Sequence, residues 1–198
     1  MIIAIAGFKG GIGKTTSAIH LANFLSNRGK TVLVDGDPNR SSTNWVNRGE
    51  FAFSCCDLIA APKYTRNADY TVLDTQARPD QDELSAIADG CDLLILPTSP
   101  DALAIEALFN TAEYLKNLDN CRVLLTLCDV RKKTQINDAR KGIEKNQLPL
   151  FNVQIRLYSA YQKAALHGSS VDRVGDKFSK IAWTDYKKLG EEVLNYES

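Results

Sequence analysis

The sequence predicts one doubly wound α/β domain over residues 1–198, a single mainly parallel sheet with helices on both faces. Three observations predict it. Six apolar runs alternate with helix-period patterns, as parallel strands joined by crossover helices do. A glycine-rich turn between Gly7 and Gly13 joins the first apolar run to the first helical pattern. Three later runs end in aspartate, at Asp35, Asp74 and Asp129, and carboxylates at the C-terminal tips of parallel strands lie where ligands collect.

Residues 2–6, all Ile or Ala, form the first strand, and the turn Gly7-Phe8-Lys9-Gly10-Gly11-Ile12-Gly13-Lys14-Thr15-Thr16 follows. Strand, glycine-rich turn and helix start make the context that a phosphate-binding P-loop requires. The glycines let successive N–H groups point inward at phosphate oxygens, and the helix beginning near Gly13 adds its positive dipole end. Gly10, Gly11, Ile12, Gly13 and Thr16 thus belong to a nucleotide cradle. Lys14 is placed to neutralise the β- and γ-phosphates, and the Thr15 hydroxyl to sit on Mg²⁺. The spacing departs from G-x-x-x-x-G-K-[ST], because Phe8 stands five positions before Gly13.

Leu21, Ala22 and Leu25 share a face of the first helix, which Arg28-Gly29-Lys30 stops. Residues 31–34 form a buried strand running into Asp35-Gly36-Asp37-Pro38. Asp35 and Asp37 alternate, so they share one side if strand geometry continues. Ser41-Ser42-Thr43 predicts a cap for a helix over residues 44–48. Residues 51–56 alternate weakly and predict a further strand; the stretch from there to Asp69 is short and contains Pro62. Residues 69–75 are an apolar strand ending in Asp74, the arrangement in which a carboxylate holds Mg²⁺ in phosphoryl-transfer sites. A helix over residues 83–90 and a strand over residues 91–97 follow, and Asp101 caps a helix over residues 102–118. Residues 122–129 form a strand ending in Asp129, and Arg131-Lys132-Lys133 leads into a helix bearing Arg140, Lys141 and Lys145. Residues 151–157 alternate as the last strand, before helices over residues 158–168 and 178–196.

Composition narrows the function classes. No apolar stretch reaches the ~18 residues that span a bilayer, and the chain shows no signal peptide. The five cysteines are odd in number and lack a C-x-x-C, so they read as small buried hydrophobes in a reducing cytosol. Neither His20 nor His167 lies near a Ser or Cys nucleophile motif. Formal net charge is zero, but residues 1–120 hold 10 Lys/Arg against 15 Asp/Glu, and residues 121–198 hold 14 against 9. That asymmetry points to a polyanion-binding face on the second half. Its candidates are Arg131, Lys132, Lys133, Arg140, Lys141, Arg156 and Lys163.

The form K-G-G-x-G-K-T-T, with Lys9 five residues ahead of Lys14, resembles the deviant Walker A box of the ParA/MinD family of P-loop ATPases. The resemblance covers nearly the whole chain. It includes the D-x-D-P segment at Asp35–Pro38, Asp74 in the Walker B position, Pro97-Thr98-Ser99-Pro100, and G-x-x-V at Gly168 and Val171. It implies an ATP hydrolase that uses ATP and Mg²⁺, with Lys9, Lys14 and Asp37 catalytic. Lys9 then reaches the phosphates of a second subunit in an ATP-bound homodimer. Asp37 positions the attacking water, while Thr15, Asp37 and Asp74 hold the metal. Asp35 lies near the metal shell, and Thr126 and Asp129 lie by the base. Two departures stand out: Asn39 where the family has Gln, and Gln76-Ala77-Arg78-Pro79 where prolines are usual.

By the same resemblance, the dimer binds nucleoid DNA without sequence preference. It positions a cargo in the cytoplasm, a plasmid or a protein organelle such as the carboxysome. A ParB-like or McdB-like adaptor stimulates hydrolysis. The sequence shows no N-terminal helix-turn-helix extension ahead of the P-loop. Two alternatives share the loop. A MinD-like membrane ATPase needs a basic amphipathic C-terminal helix, whereas residues 190–198 are acidic. A metabolic P-loop enzyme, such as a biotin-pathway ligase or a nucleotide-dependent reductase, needs a substrate carboxylate site or cluster cysteines.

Overall fold

The computed structural model describes residues 1–7, 9–115 and 118–196. Seven strands form one sheet: β1 (Ile2–Gly7), β2 (Thr31–Gly36), β3 (Ser54–Asp57), β4 (Tyr70–Ala77), β5 (Leu93–Thr98), β6 (Cys121–Cys128) and β7 (Leu150–Arg156). Their order is β3-β2-β4-β1-β5-β6-β7, and every pairing is parallel. The expected mainly parallel sheet is therefore parallel throughout the described residues. β1 lies between β4 and β5, so the loop after it opens at the crevice where connections diverge to the two sides of the sheet.

Among the described residues six α-helices connect the strands, α1 (Lys14–Leu25), α2 (Ser41–Val46), α3 (Ala61–Thr65), α4 (Gln81–Asp89), α5 (Ala102–Ala112) and α6 (Lys133–Lys145), and two follow β7, α7 (Ala160–His167) and α8 (Ser179–Leu194). The main apolar core lies under α1, α2, α7 and α8, where Ile3, Ile5, Ile19, Leu33, Val72 and Leu189 are buried. A second core on the opposite face gathers Ala4, Leu94, Leu96, Val123 and Leu125 beneath α4, α5 and α6.

Several boundaries differ from expectation for local reasons. α4 starts earlier, because the Asp80 carboxylate accepts from Glu83 N–H while the Glu83 side chain accepts from Asp80 N–H, a capping box. α2 starts at Ser41 instead of being capped by residues 41–43. Arg40 turns the chain in at φ 52°, and the Asp35 carboxylate accepts both the Thr43 N–H and the Thr43 hydroxyl at 2.7 Å. α5 ends at Ala112, where i→i+3 bonds from Tyr114 and Leu115 N–H bring Leu115 into the second core. The expected helix extended through Lys116 and Asn117, which lie outside the described residues. α3, with Pro62 in its first turn, occupies the stretch that showed no helical period.

His20 fastens the first helix to the far end of the chain. Its Nε2 accepts the Val171 N–H at 3.0 Å, so the proton sits on Nδ1, which donates to the Thr16 carbonyl at 2.7 Å. The ring stacks on Tyr186, with Trp45 and Tyr161 edge-on. Burial holds its pKa down at about 4 from an ordinary 6.5. The unfolded chain therefore takes up a proton that the folded chain refuses. Stability is complete above pH 6.5 and falls as pH drops towards 4, by about 3 kcal/mol for this group alone. Melting curves between pH 7 and pH 4 should show this loss, and a His20→Phe variant should lack that component.

Candidate nucleotide-binding site

Gly11 (φ 75°) and Gly13 (φ 87°) hold the loop after β1 in the left-handed region, and an added Cβ at Gly11 would meet open space. Glycine is needed there for backbone conformation, not for room. The loop wraps Lys14, which is 8% exposed and whose ammonium lies 3.5 Å from the Lys9 carbonyl. Burial lowers the Lys14 pKa, while Asp74 and then Asp37 oppose that shift. The loop is anchored from behind: the Thr126 hydroxyl contacts the Ile12 carbonyl at 2.7 Å and the Thr98 carbonyl at 3.1 Å.

A cavity of about 420 Å³ opens over this loop. Gly10, Gly11, Gly13, Lys14, Thr15 and Thr16 line its floor, with Asp37 and Ser41 on one side. Asp37 is held at its edge by Asn39, whose N–H and side-chain amide donate to Oδ1 at 2.9 and 3.0 Å, and by the Ser41 hydroxyl at 3.2 Å to Oδ2. Asp74 lies beneath and is fully buried. Ser42 donates to Asp74 Oδ2 at 2.6 Å, while Oδ1 has no hydrogen-bond partner. Burial raises the Asp74 pKa to about 6, opposed by the Ser42 and Thr15 hydroxyls and reinforced by Asp35, its register neighbour on β2.

An orphaned, fully buried carboxylate oxygen beside a threonine hydroxyl fits a hard divalent cation. Among the described residues no cluster of three or more His, Cys, Asp or Glu forms a protein-only cage. The single Asp74 carboxylate with the Thr15 hydroxyl suits Mg²⁺, which keeps its waters and takes phosphate oxygens as ligands.

Other expected residues lie elsewhere. Lys9 does not line the cavity; its ammonium is 3.0 Å from Asp101, which also caps α5 through the Ala104 N–H. Asp35 is taken up entirely by the β2–α2 loop, its Oδ1 accepting the Asp37 N–H and its Oδ2 the two Thr43 groups. Asp35 therefore shapes this segment while standing beside Asp74 in the sheet register. Asp129 is also displaced. Leu127, at φ 53°, turns the end of β6 so that Leu127 meets the cavity, and Arg131 takes both Asp129 oxygens at 2.7–3.2 Å. The Thr126 side chain is engaged by the Ile12 and Thr98 carbonyls, as a strut of the loop.

The outer wall of the cavity comes from residues that showed no motif: Leu127, Arg156, Tyr158, Tyr161 and Gln162. Leu127 and Arg156 stand at the C-terminal ends of β6 and β7, and Tyr158, Tyr161 and Gln162 follow in the next loop and the first turn of α7; Arg156 alone stands out in the sequence, for its charge. Arg156 is fixed to Asp185 through a paired guanidinium–carboxylate contact at 2.5–3.2 Å and lies over the Tyr158 ring. Among the described residues, three of the four non-glycine residues with left-handed backbone are Arg40 and Arg78, each adjacent to a lining residue (Ser41 and Ala77), and Leu127, which lines the cavity itself. Such strain clusters at functional sites. The cysteines take no part: all are free, and burial pushes the thiols of Cys55, Cys121 and Cys128 up to about 12, where they are unreactive.

The family model described as the CobQ/CobB/MinD/ParA nucleotide-binding domain matches residues 3–171. This chain belongs to that family. It is a P-loop ATPase domain of the ParA/MinD type, as its lysine-marked loop implied. The maintenance of carboxysome distribution protein A of Gloeobacter kilaueensis is 32% identical over 201 residues, covering 97% of this chain and 93% of the relative. In fold, the chain is similar to apo McdA of Cyanothece, with TM-score 0.74 and 18% identity over 94% of this chain and 98% of that one. It is likewise similar to a plasmid partition protein of Borrelia burgdorferi bound to AMPPNP, with TM-score 0.73 and 18% identity over 98% of each chain. Among the described residues no helix is long and apolar enough to cross a membrane.

Proposed function

We propose that this ParA/MinD-family ATPase hydrolyses ATP in a Mg²⁺-dependent reaction within a nucleotide-sandwich homodimer, and that the dimer distributes a cargo over DNA. The observation that carries the reading is the meeting of Lys14, Thr15 and Asp37 on one cavity directly above the unpartnered oxygen of Asp74. Loop N–H groups and Lys14 hold the phosphates. Thr15 and Asp74 would hold Mg²⁺, whose positive charge would stabilise the developing phosphate charge. Asp37, kept at the mouth by Asn39 and Ser41, orients the attacking water and stands beside the metal shell. Lys9 points away from its own cavity, which favours action on the partner's phosphates.

The 32% identity over nearly the full chain to a carboxysome distribution protein favours an organelle cargo and an McdB-like adaptor over a plasmid and a ParB-like one. DNA contact falls to a narrower set of residues than charge alone suggested. Arg131, Arg140, Arg156 and Lys163 are bonded to Asp129, the carbonyls of Phe151 and Asn152, Asp185 and Asp176. Lys132, Lys133 and Lys141 on and before α6 remain. A dimer doubles this patch and adds avidity.

DNA retention is therefore expected only with ATP, and should fall steeply between low and physiological salt. A filter or shift assay with random-sequence duplex, run with ATP, with ADP and without nucleotide, checks this. Equal retention in all three would refute it, and Lys132→Ala/Lys133→Ala/Lys141→Ala should weaken binding without altering the melting temperature.

A further inference from the structure

We infer that an apolar trough between the two aspartate-bearing loops docks a partner-protein segment that combines large apolar side chains with basic flanks. The trough lies on the face opposite α1, away from the nucleotide cavity. It arises because α3 has only five residues and leaves the sheet uncovered between itself and α4. Leu73 shows the gap: it sits on an interior strand yet is only half-buried, while its neighbours Val72 and Asp74 are fully buried. Gly36, Pro38, Leu58, Leu73, Pro79 and Ile87 line a space of about 420 Å³, large enough for two or three side chains. At its lip Leu58 is 56% exposed and the adjacent Ile59 92% exposed.

Charge identifies the occupant. Residues 79–90, the turn and α4 that wall one side of the trough, contain Asp80, Asp82, Glu83 and Asp89 and no Lys or Arg. Glu83 lines the trough and Asp57 precedes its lip residue Leu58, while the neighbouring cations are Arg40, paired to Asp57, and Arg78, which precedes Pro79. Such a surface repels DNA and attracts a basic segment. It also disfavours a second copy of the chain, because a two-fold interface sets each patch against itself and would bring acid against acid.

The position gives docking a consequence. Gly36 and Pro38 flank Asp37, Thr75 and Gln76 continue β4 directly after Asp74, and Pro79 lies in the turn beyond, so one occupant touches the segments next to both carboxylates. Coupling to turnover rests on the proposed ATPase reading; the docking does not.

The test pans a random display library of peptides about 12 residues long on the full chain without nucleotide, then measures selected peptides by fluorescence anisotropy. Ala86 lines the trough and is exposed, so Ala86→Arg should fold and melt as wild type while closing the space with a like-charged head. Selected peptides should carry an apolar pair with flanking Lys or Arg, bind Ala86→Arg at least about 10-fold more weakly, and change ATP turnover of the wild type. Acidic peptides, no enrichment, equal binding to Ala86→Arg, or displacement by DNA or by ATP-driven pairing of two copies would each overturn the docking site. Binding without a change in turnover would overturn the coupling alone. A chain with no turnover of its own would overturn the ATPase reading and leave the binding result standing.

Discussion

Replacing Lys14 with alanine should leave a folded chain that turns over ATP at least ~100-fold more slowly and holds nucleotide poorly, since one preorganised charge aimed at developing phosphate charge is worth that much. The loop closes around this side chain, and its ammonium is the cation that balances Asp74 and Asp37 before any ligand arrives. Burial already lowers its pKa, so the site holds a desolvated cation whose natural partner is a polyanion. Lys9→Ala should behave differently. It should bind nucleotide as wild type does, because Lys9 lies off the cavity against Asp101, and should lose ATP-dependent dimerisation and turnover. Calorimetry with a slowly hydrolysed ATP analogue, beside phosphate release, separates the two variants. Equal nucleotide affinity in wild type and Lys14→Ala would contradict the cradle.

Asp74→Asn should stabilise the ligand-free chain while abolishing hydrolysis. The carboxylate is fully buried, one oxygen has no partner, and its pKa is raised from 3.8 to about 6. A carboxylate whose folded pKa is raised is favoured protonated in the fold. Its stability is therefore complete below the unfolded value and is lost as pH rises through about 6. Above that pH the ionised group costs the fold about 3 kcal/mol, and the neutral amide removes much of this cost. For a chain of this size the melting temperature should rise by roughly 5 °C at pH 7.5. Mg²⁺ with ATP should add stability to wild type and little to Asp74→Asn. A variant that melts lower without ligand would show that the carboxylate is satisfied in some other way.

The sheet was legible because its strands are short β-branched and aliphatic runs, each ending at a turn or an aspartate. The cradle was legible because glycines at positive φ and the following Lys-Thr are adjacent in sequence. What escaped depends on contacts across the fold. Asp35 alternates with Asp37 as a site pair would, yet capping of the Thr43 N–H claims it. Asp129 ends a strand as Asp74 does, yet a left-handed Leu127 and the nearby Arg131 turn it away. The wall formed by Arg156, Tyr158 and Gln162 reaches the P-loop only through the sheet order, which places β7 last but returns α7 and α8 over α1. Asp80 and Glu83 are a different case: their capping box stands in the sequence, and it moves the start of α4.

Completion of each site by the partner's Lys9 is the central claim, and mixing two inactive variants tests it most directly. Lys9→Ala and Lys14→Ala should each be inactive alone. In a mixed dimer, the Lys9→Ala subunit keeps its own Lys14 and receives Lys9 from its partner, so one of the two sites is whole. An equimolar mixture should therefore recover turnover that neither variant shows alone, up to about half that of wild type, because each mixed two-fold dimer holds one whole site of its two. No recovery, with mixed dimers shown to form, would place Lys9 in its own site and contradict the account.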